Sequence, residues 1–102
     1  MQVTLNTWQR LNLEGVIGMS RGNMAEIKAG LALMEIFELT DKEKESVGLV
    51  LEGPQKQKVD EDHDFEITIP DEFMEYLRKC ARDFAHWPTN RHVPDLEERL
   101  KL

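Results

Sequence analysis

The stretch that most constrains this chain is Asn23 to Leu39, NMAEIKAGLALMEIFEL. Asn23 followed three residues later by Glu26 has the form of a capping box, in which each side chain bonds the other's backbone N–H, so a helix start is marked here. At about 100° per residue, Ala25, Ala29, Ala32 and Ile36 fall in one stripe. Leu33 and Phe37 flank it on one side, and Met24, Ile27, Leu31 and Met34 lie opposite. Lys28 and Glu35 are the only polar residues in the helix body. A helix apolar nearly all round is expected to be buried, and its alanines allow a close approach by another backbone. The apolar perimeter exceeds what a 102-residue chain can comfortably cover, so one face is expected to meet a second copy of the protein in a homo-oligomer.

The rest of the chain reads as one α+β domain over residues 1–102. Gln2–Leu5 alternates as a short edge strand, and Asn6 or Thr7 can cap a helix carrying Trp8, Leu11, Leu13, Val16 and Ile17 to Gly18. Arg10 and Glu14 have the spacing of an i, i+4 pair on its outer side. Thr40 with Glu43 repeats the capping-box pattern and opens a short charged helix to about Val47, with Gly48 as its stop. Leu49–Leu51 reads as strand. Phe65–Ile69 alternates cleanly, with Phe65, Ile67 and Ile69 inward, so these segments predict a hairpin, or a small antiparallel sheet if Gln2–Leu5 joins. Pro70 then begins a helix with Asp71 and Glu72 in its first turn and Phe73, Leu77, Cys80, Ala81 and Phe84 on its inner face. Asp95–Leu102 repeats leucine at helical spacing. The expected architecture is a buried central helix, two or three further helices and a small antiparallel hairpin or sheet.

Charge narrows the function. The formal net charge is −7, and it is concentrated in residues 35–72, where thirteen acidic side chains face four basic ones. Residues 1–34 and 73–102 each balance at +1. General nucleic-acid binding works by cationic side chains releasing counterions, so it is not expected of this chain. No apolar run approaches the roughly 20 residues of a membrane span, and no basic-then-apolar leader precedes the first helix, so a cytoplasmic location is expected. The single cysteine, Cys80, has no internal disulfide partner, which suits a reducing compartment.

Catalytic and metal motifs fail on their own terms. Asp60, Asp62 and Asp64 mimic the start of a calcium loop, but the sixth and twelfth positions hold Phe65 and Asp71 where Gly and Glu are required. Cys80, His86 and His92, with His63, lack a C-x-x-C pair, and Cys80 lies on an apolar helix face. The same burial argues against a low-pKa nucleophilic thiol. No glycine-rich phosphate loop is present. The expectation is a protein that is not an enzyme and carries no metal or cofactor. The candidate binding segment is FAHWPTNRH, which gathers His86, Trp87, Arg91 and His92 between Pro88 and Pro94, beside Arg78 and Arg82 on the preceding helix. Aromatic stacking with nearby cations can hold a base and its phosphates, and the same residue types make protein–protein hot spots. The other reading is that Trp87 packs on the core and the cations are solvated.

The opening VTLNTWQRLNL, the helix start Leu39-Thr40-Asp41 and the passage FEITIPDEFMEYLRK together resemble small accessory proteins of tailed phages and prophages. The segment HWPTNRHVP departs from that pattern. The resemblance implies an accessory protein acting in the host cytoplasm, directed at a host factor as counter-defence by binding a host protein. Its alternatives are a sponge for a nucleotide-type immune signal, with Trp87 stacking and Arg91, Arg78 or Arg82 on phosphate, or a structural phage component.

Overall fold

Three capping boxes set the helix starts. Asn6 with Gln9 caps helix α1 (Thr7–Met19), Asn23 with Glu26 caps α2 (Met24–Phe37), and Thr40 with Glu43 caps α3 (Asp41–Ser46). In each, the side chain at the cap accepts from the backbone three residues on, which removes one of the unpaired N–H groups of the first turn. The computed structural model describes residues 1–48 and 60–102, so the strand expected at Leu49–Leu51 lies outside the described residues. The remaining elements are strands β1 (Gln2–Asn6) and β2 (Asp64–Thr68) and helices α4 (Asp71–Asp83) and α5 (His92–Leu100).

The fold is α+β, with five helices and one two-stranded antiparallel sheet among the described residues. The strand partner of β2 is β1, in a register that pairs Val3 with Ile67 and Leu5 with Phe65. Strand β1 therefore joins the sheet as the alternation of Gln2–Leu5 allowed, and β2 is fixed by a segment nearly the whole helical half of the chain away. Val3, Leu5, Ile67 and Ile69 are buried, while Phe65 is half-buried at the edge. Together with Leu13, Val16 and Ile17 of α1, Leu33 and Phe37 of α2, Leu77 and Cys80 of α4, and Leu96 and Leu100 of α5, they form one apolar cluster.

The central helix is less buried than its composition suggests. Only Gly30, Leu33 and Phe37 of α2 are buried, and Met24 (74% exposed) and Leu31 (60%) face outward. Among the described residues, the helices that cover this apolar cylinder are chiefly α1 and α4, and they pack on two of its sides. The close approach lies off the alanine stripe, on the side of Leu33 and Phe37, at Gly30, where an added Cβ would lie 3.3 Å from the Tyr76 ring and 3.5 Å from Ile17.

Arg10 also sits otherwise than its spacing implies. It is 5% exposed and points inward, because the end of α2 lacks a basic residue to satisfy its last carbonyls. Its Nε donates to the Phe37 carbonyl at 2.9 Å and Nη2 to the Glu38 carbonyl at 3.0 Å. Nη1 donates to Glu43 at 2.7 Å, and the guanidinium lies 5.0 Å from the centre of the Phe65 ring. Glu14 is left on the outer side. A buried cation with a partner for each of its nitrogens stabilises only as a set, since removing it leaves carbonyls and a carboxylate without that partner.

Two outcomes follow from this arrangement. Arg10→Met should lower unfolding stability in urea by about 2–3 kcal/mol, against about 1 kcal/mol for the exposed cap change Asn23→Ala. Burial pushes the Glu43 carboxyl up, but bonds from Arg10 and the Thr40 N–H outweigh it and hold the group below its ordinary 4.5. A depressed carboxylate contributes stability above its unfolded value and loses it as pH falls through the folded one. Thermal melts of wild type should therefore fall as pH drops below about 4.5, and Glu43→Gln should start lower and fall less over that window.

Candidate functional site

The candidate loop residues have intrachain partners wherever they are enclosed. Trp87 is half-buried, donates from Nε1 to the Ala81 carbonyl at 3.0 Å and packs its ring on the core. Phe84 meets it edge-on with centroids 5.3 Å apart, and Trp8 of α1 lies 6.5 Å away on another side. His92 is 6% exposed. Asn6 Oδ1 accepts from the Gln9 N–H, which turns Asn6 Nδ2 toward His92 Nδ1 at 3.0 Å. With Nδ1 accepting, Nε2 carries the ring proton and faces Asp62 at 3.3 Å. Helix α5 thus starts at His92, three residues before the expected Asp95, because the imidazole is anchored in the interior.

The cations divide in the same way. Arg91 donates through Nη2 to both Asp62 oxygens at 2.8 and 2.9 Å. Arg78 donates from Nε to the Leu100 carbonyl at 2.9 Å and pairs with Glu75 at 3.3 Å. His86 and Arg82 remain exposed. Arg91 and His92 are thus brought together at Asp62, Trp87 and Arg82 line a cleft of about 420 Å³ with Val93 and Leu96, and His86 and Arg78 stand apart. The acidic turn also has structural partners: Asp64 receives Arg99 at 2.7 Å, and the Glu61 and His63 carbonyls accept from Trp8 and Thr7 at the start of α1. Among the described residues no group of three or more His, Cys, Asp or Glu side chains could hold a metal ion.

Another cleft lies on the other side of α4. A cleft of about 520 Å³ opens between the end of α1, the turn after it, and α4 with the segment that follows. Met19, Tyr76, Cys80 and Phe84 give it an apolar lining; Arg21, Lys79 and His86 stand round it with a single acid, Asp83. Met19 is 65% exposed and so is available at the mouth. Phe84 stacks edge-on with His86 at 5.9 Å, which fixes both rings as one wall. Lys79 crosses to Glu26 of α2 at 2.7 Å. That contact, first as a hydrogen bond, raises Lys79 and lowers Glu26 from their ordinary values. Cys80 is buried, as its position on the apolar face of α4 requires.

The candidate segment FAHWPTNRH already held Phe84 and His86 of this site; Met19, Arg21 and Tyr76 were not legible as part of it. Met19 and Arg21 read as the end of a helix and a turn, and Tyr76 as an edge residue of α4. Their convergence with Phe84 depends on how α1 crosses α4, for which no local pattern exists. Exposed Met19 just before the Ser20-Arg21-Gly22 turn was the available signal, since a large apolar side chain at a helix end has no covering residue in sequence.

Compared with protein-family models, curated proteins and solved structures, the chain matches none of them. No helix among the described residues is long and apolar enough to cross a membrane.

The cleft has a direct spectroscopic check. Burial, then the Cys80 thiol beside it, then the Glu26 charge push the Tyr76 phenol up to about 12. Tyr76 is the chain's single tyrosine, so tyrosinate absorbance should stay flat through pH 10 and rise near 12. A midpoint near the ordinary 10.0 would mean that the α2–α4 contact opens to water.

Proposed function

We propose that the protein is a non-catalytic binding protein that acts on a host factor by protein–protein contact, in keeping with the phage accessory proteins its sequence resembles. The observation that carries this reading is the cleft beside α4, where exposed Met19 faces the stacked Phe84–His86 wall within a ring of Arg21, Lys79 and His86. An apolar pocket with a charged rim accepts one large side chain and excludes water around it, which is how interface hot spots concentrate binding energy. Methionine, unbranched and polarisable, can adapt to the shape of that side chain. Lys79 is already paired with Glu26, so Arg21 is the rim cation that favours an aromatic or aliphatic anchor flanked by Asp or Glu. Against the chain's net charge of −7, Arg21 at the mouth offers an acidic segment one local point of attraction. The counter-defence role rests on the resemblance alone.

The nucleotide-sponge reading has weaker support. It needs an open aromatic face and a free cation: Trp87 packs against Phe84 and the core and Arg91 pairs with Asp62, which leaves Arg82, beside Trp87, as its one candidate for phosphate.

Peptide selection against the folded protein tests the proposal. Recovered sequences should converge on one large apolar residue with acidic neighbours, and Met19→Glu should weaken their binding by about tenfold or more. Arg21→Ala should weaken it less, with loss of salt dependence. Sequences that show no such consensus, or that bind Met19→Glu unchanged, would remove the cleft as the contact. A rise in melting temperature with cyclic or linear oligonucleotide signals, abolished by Arg91→Ala, would put the sponge ahead.

A further inference from the structure

A second surface carries an independent inference. Helices α1 and α2 run antiparallel: Arg10 reaches the Phe37 carbonyl at one end, and Ile17 lies against Gly30 further along. That register sets Gly15 beside the Leu31–Ala32 turn. The outward side of this helix pair exposes Leu11 (37%), Ile27 (38%), Leu31 and Met24, and Gly18 lies under the tip of Met34, whose Cε would be 3.4 Å from an added Cβ.

Gly15 is the unusual member. Glycine inside a helix costs about 0.5–1 kcal/mol relative to alanine, and this residue sits mid-helix with a Cβ position that has no neighbour within 4 Å among the described residues. Nothing among the described residues requires the missing side chain there. A bare backbone at the centre of an apolar face suits a close approach from outside the chain.

The charges on the same face say what approaches. Lys28 and Glu35 lie on one exposed stripe of α2, two turns apart, and neither forms an ion pair among the described residues. A two-fold axis near Leu31 and Ala32 would run a second α2 antiparallel to the first, and each Lys28 would then face Glu35 of the second copy. A face that is basic toward one end and acidic toward the other is complementary to itself under that operation and repels itself in the parallel one. We propose that the α1–α2 face is the isologous interface of a homodimer, with Gly15 and Leu31 next to the axis and the Lys28–Glu35 pairs at the rim. Stable interfaces remove about 800 Å² per partner. The exposed side chains of the two helices supply the apolar centre of such an area and the charges its edge. The inference is independent of the cleft, which opens on the other side of the α1–α4 contact.

Sedimentation velocity across a concentration series, with far-ultraviolet circular dichroism to confirm folding, tests it. Wild type should sediment as a dimer. Leu31→Glu should weaken the dimer by about tenfold or more. Gly15→Leu, which the isolated chain accommodates, should do the same while keeping full helix content. Lys28→Glu should weaken association, and adding Glu35→Lys to it should restore the dimer, because the exchanged pair still matches across the axis. A wild type that stays monomeric up to its solubility limit overturns the proposal. So does a dimer indifferent to Gly15→Leu, or one that the double charge exchange fails to restore.

Discussion

The packing of the helical half turns on one buried cation. Arg10 leaves α1 and closes the end of α2, where Phe37 and Glu38 would otherwise present carbonyls to the interior without donors. The same guanidinium holds Glu43, which is itself the reciprocal member of the α3 capping box. One side chain thereby sets where α2 stops, where α3 starts and how both sit on α1. Its plane also lies over Phe65, so the helical half is tied to the edge of the sheet. Desolvating a guanidinium is costly, and the geometry offsets that cost by giving its nitrogens partners in the folded chain.

A second polar network holds the two ends of the chain. Gln9 is fully buried and donates to the His92 carbonyl at 3.0 Å and to Asp95 at 3.1 Å, while Asn6 holds the imidazole. No buried side-chain nitrogen or oxygen among the described residues lacks a partner. The consequence for function is an exchange of roles. Polar residues that resemble a ligand site are drawn inward as structural ties, and apolar residues that resemble core, such as Met19, Met24 and Leu31, remain outside. Exposed apolar surface beside satisfied polar groups suits a molecule that makes contacts with other proteins.

Much of the fold was legible residue by residue. The boxes at Asn23 and Thr40, the alternation of Phe65–Ile69, the proline before α4 and the buried Cys80 are local patterns, and each is where the sequence puts it. The candidate site was less legible. Trp87 and His92 combine apolar bodies with polar tips, so the sequence leaves interior and surface roles equally open to them, and the deciding contacts come from Ala81, Asn6 and Asp62. Arg10 misled for a related reason: an i, i+4 acid is a local partner worth a few tenths of a kcal/mol, and a set of unpaired helix-end carbonyls outcompetes it.

What the sequence determined by itself is the set of elements and their ends, because caps, prolines and hydrophobic period act over three or four residues. It also determined the acidic middle and the lack of a glycine-rich phosphate loop. Tertiary structure decided the partners. Arg10 meets Phe37 across 27 residues and Asn6 meets His92 across 86, separations over which no local preference operates. The same long-range pairing decided which face of α2 stays open, since the helices that cover it approach only from the sides their own buried groups dictate.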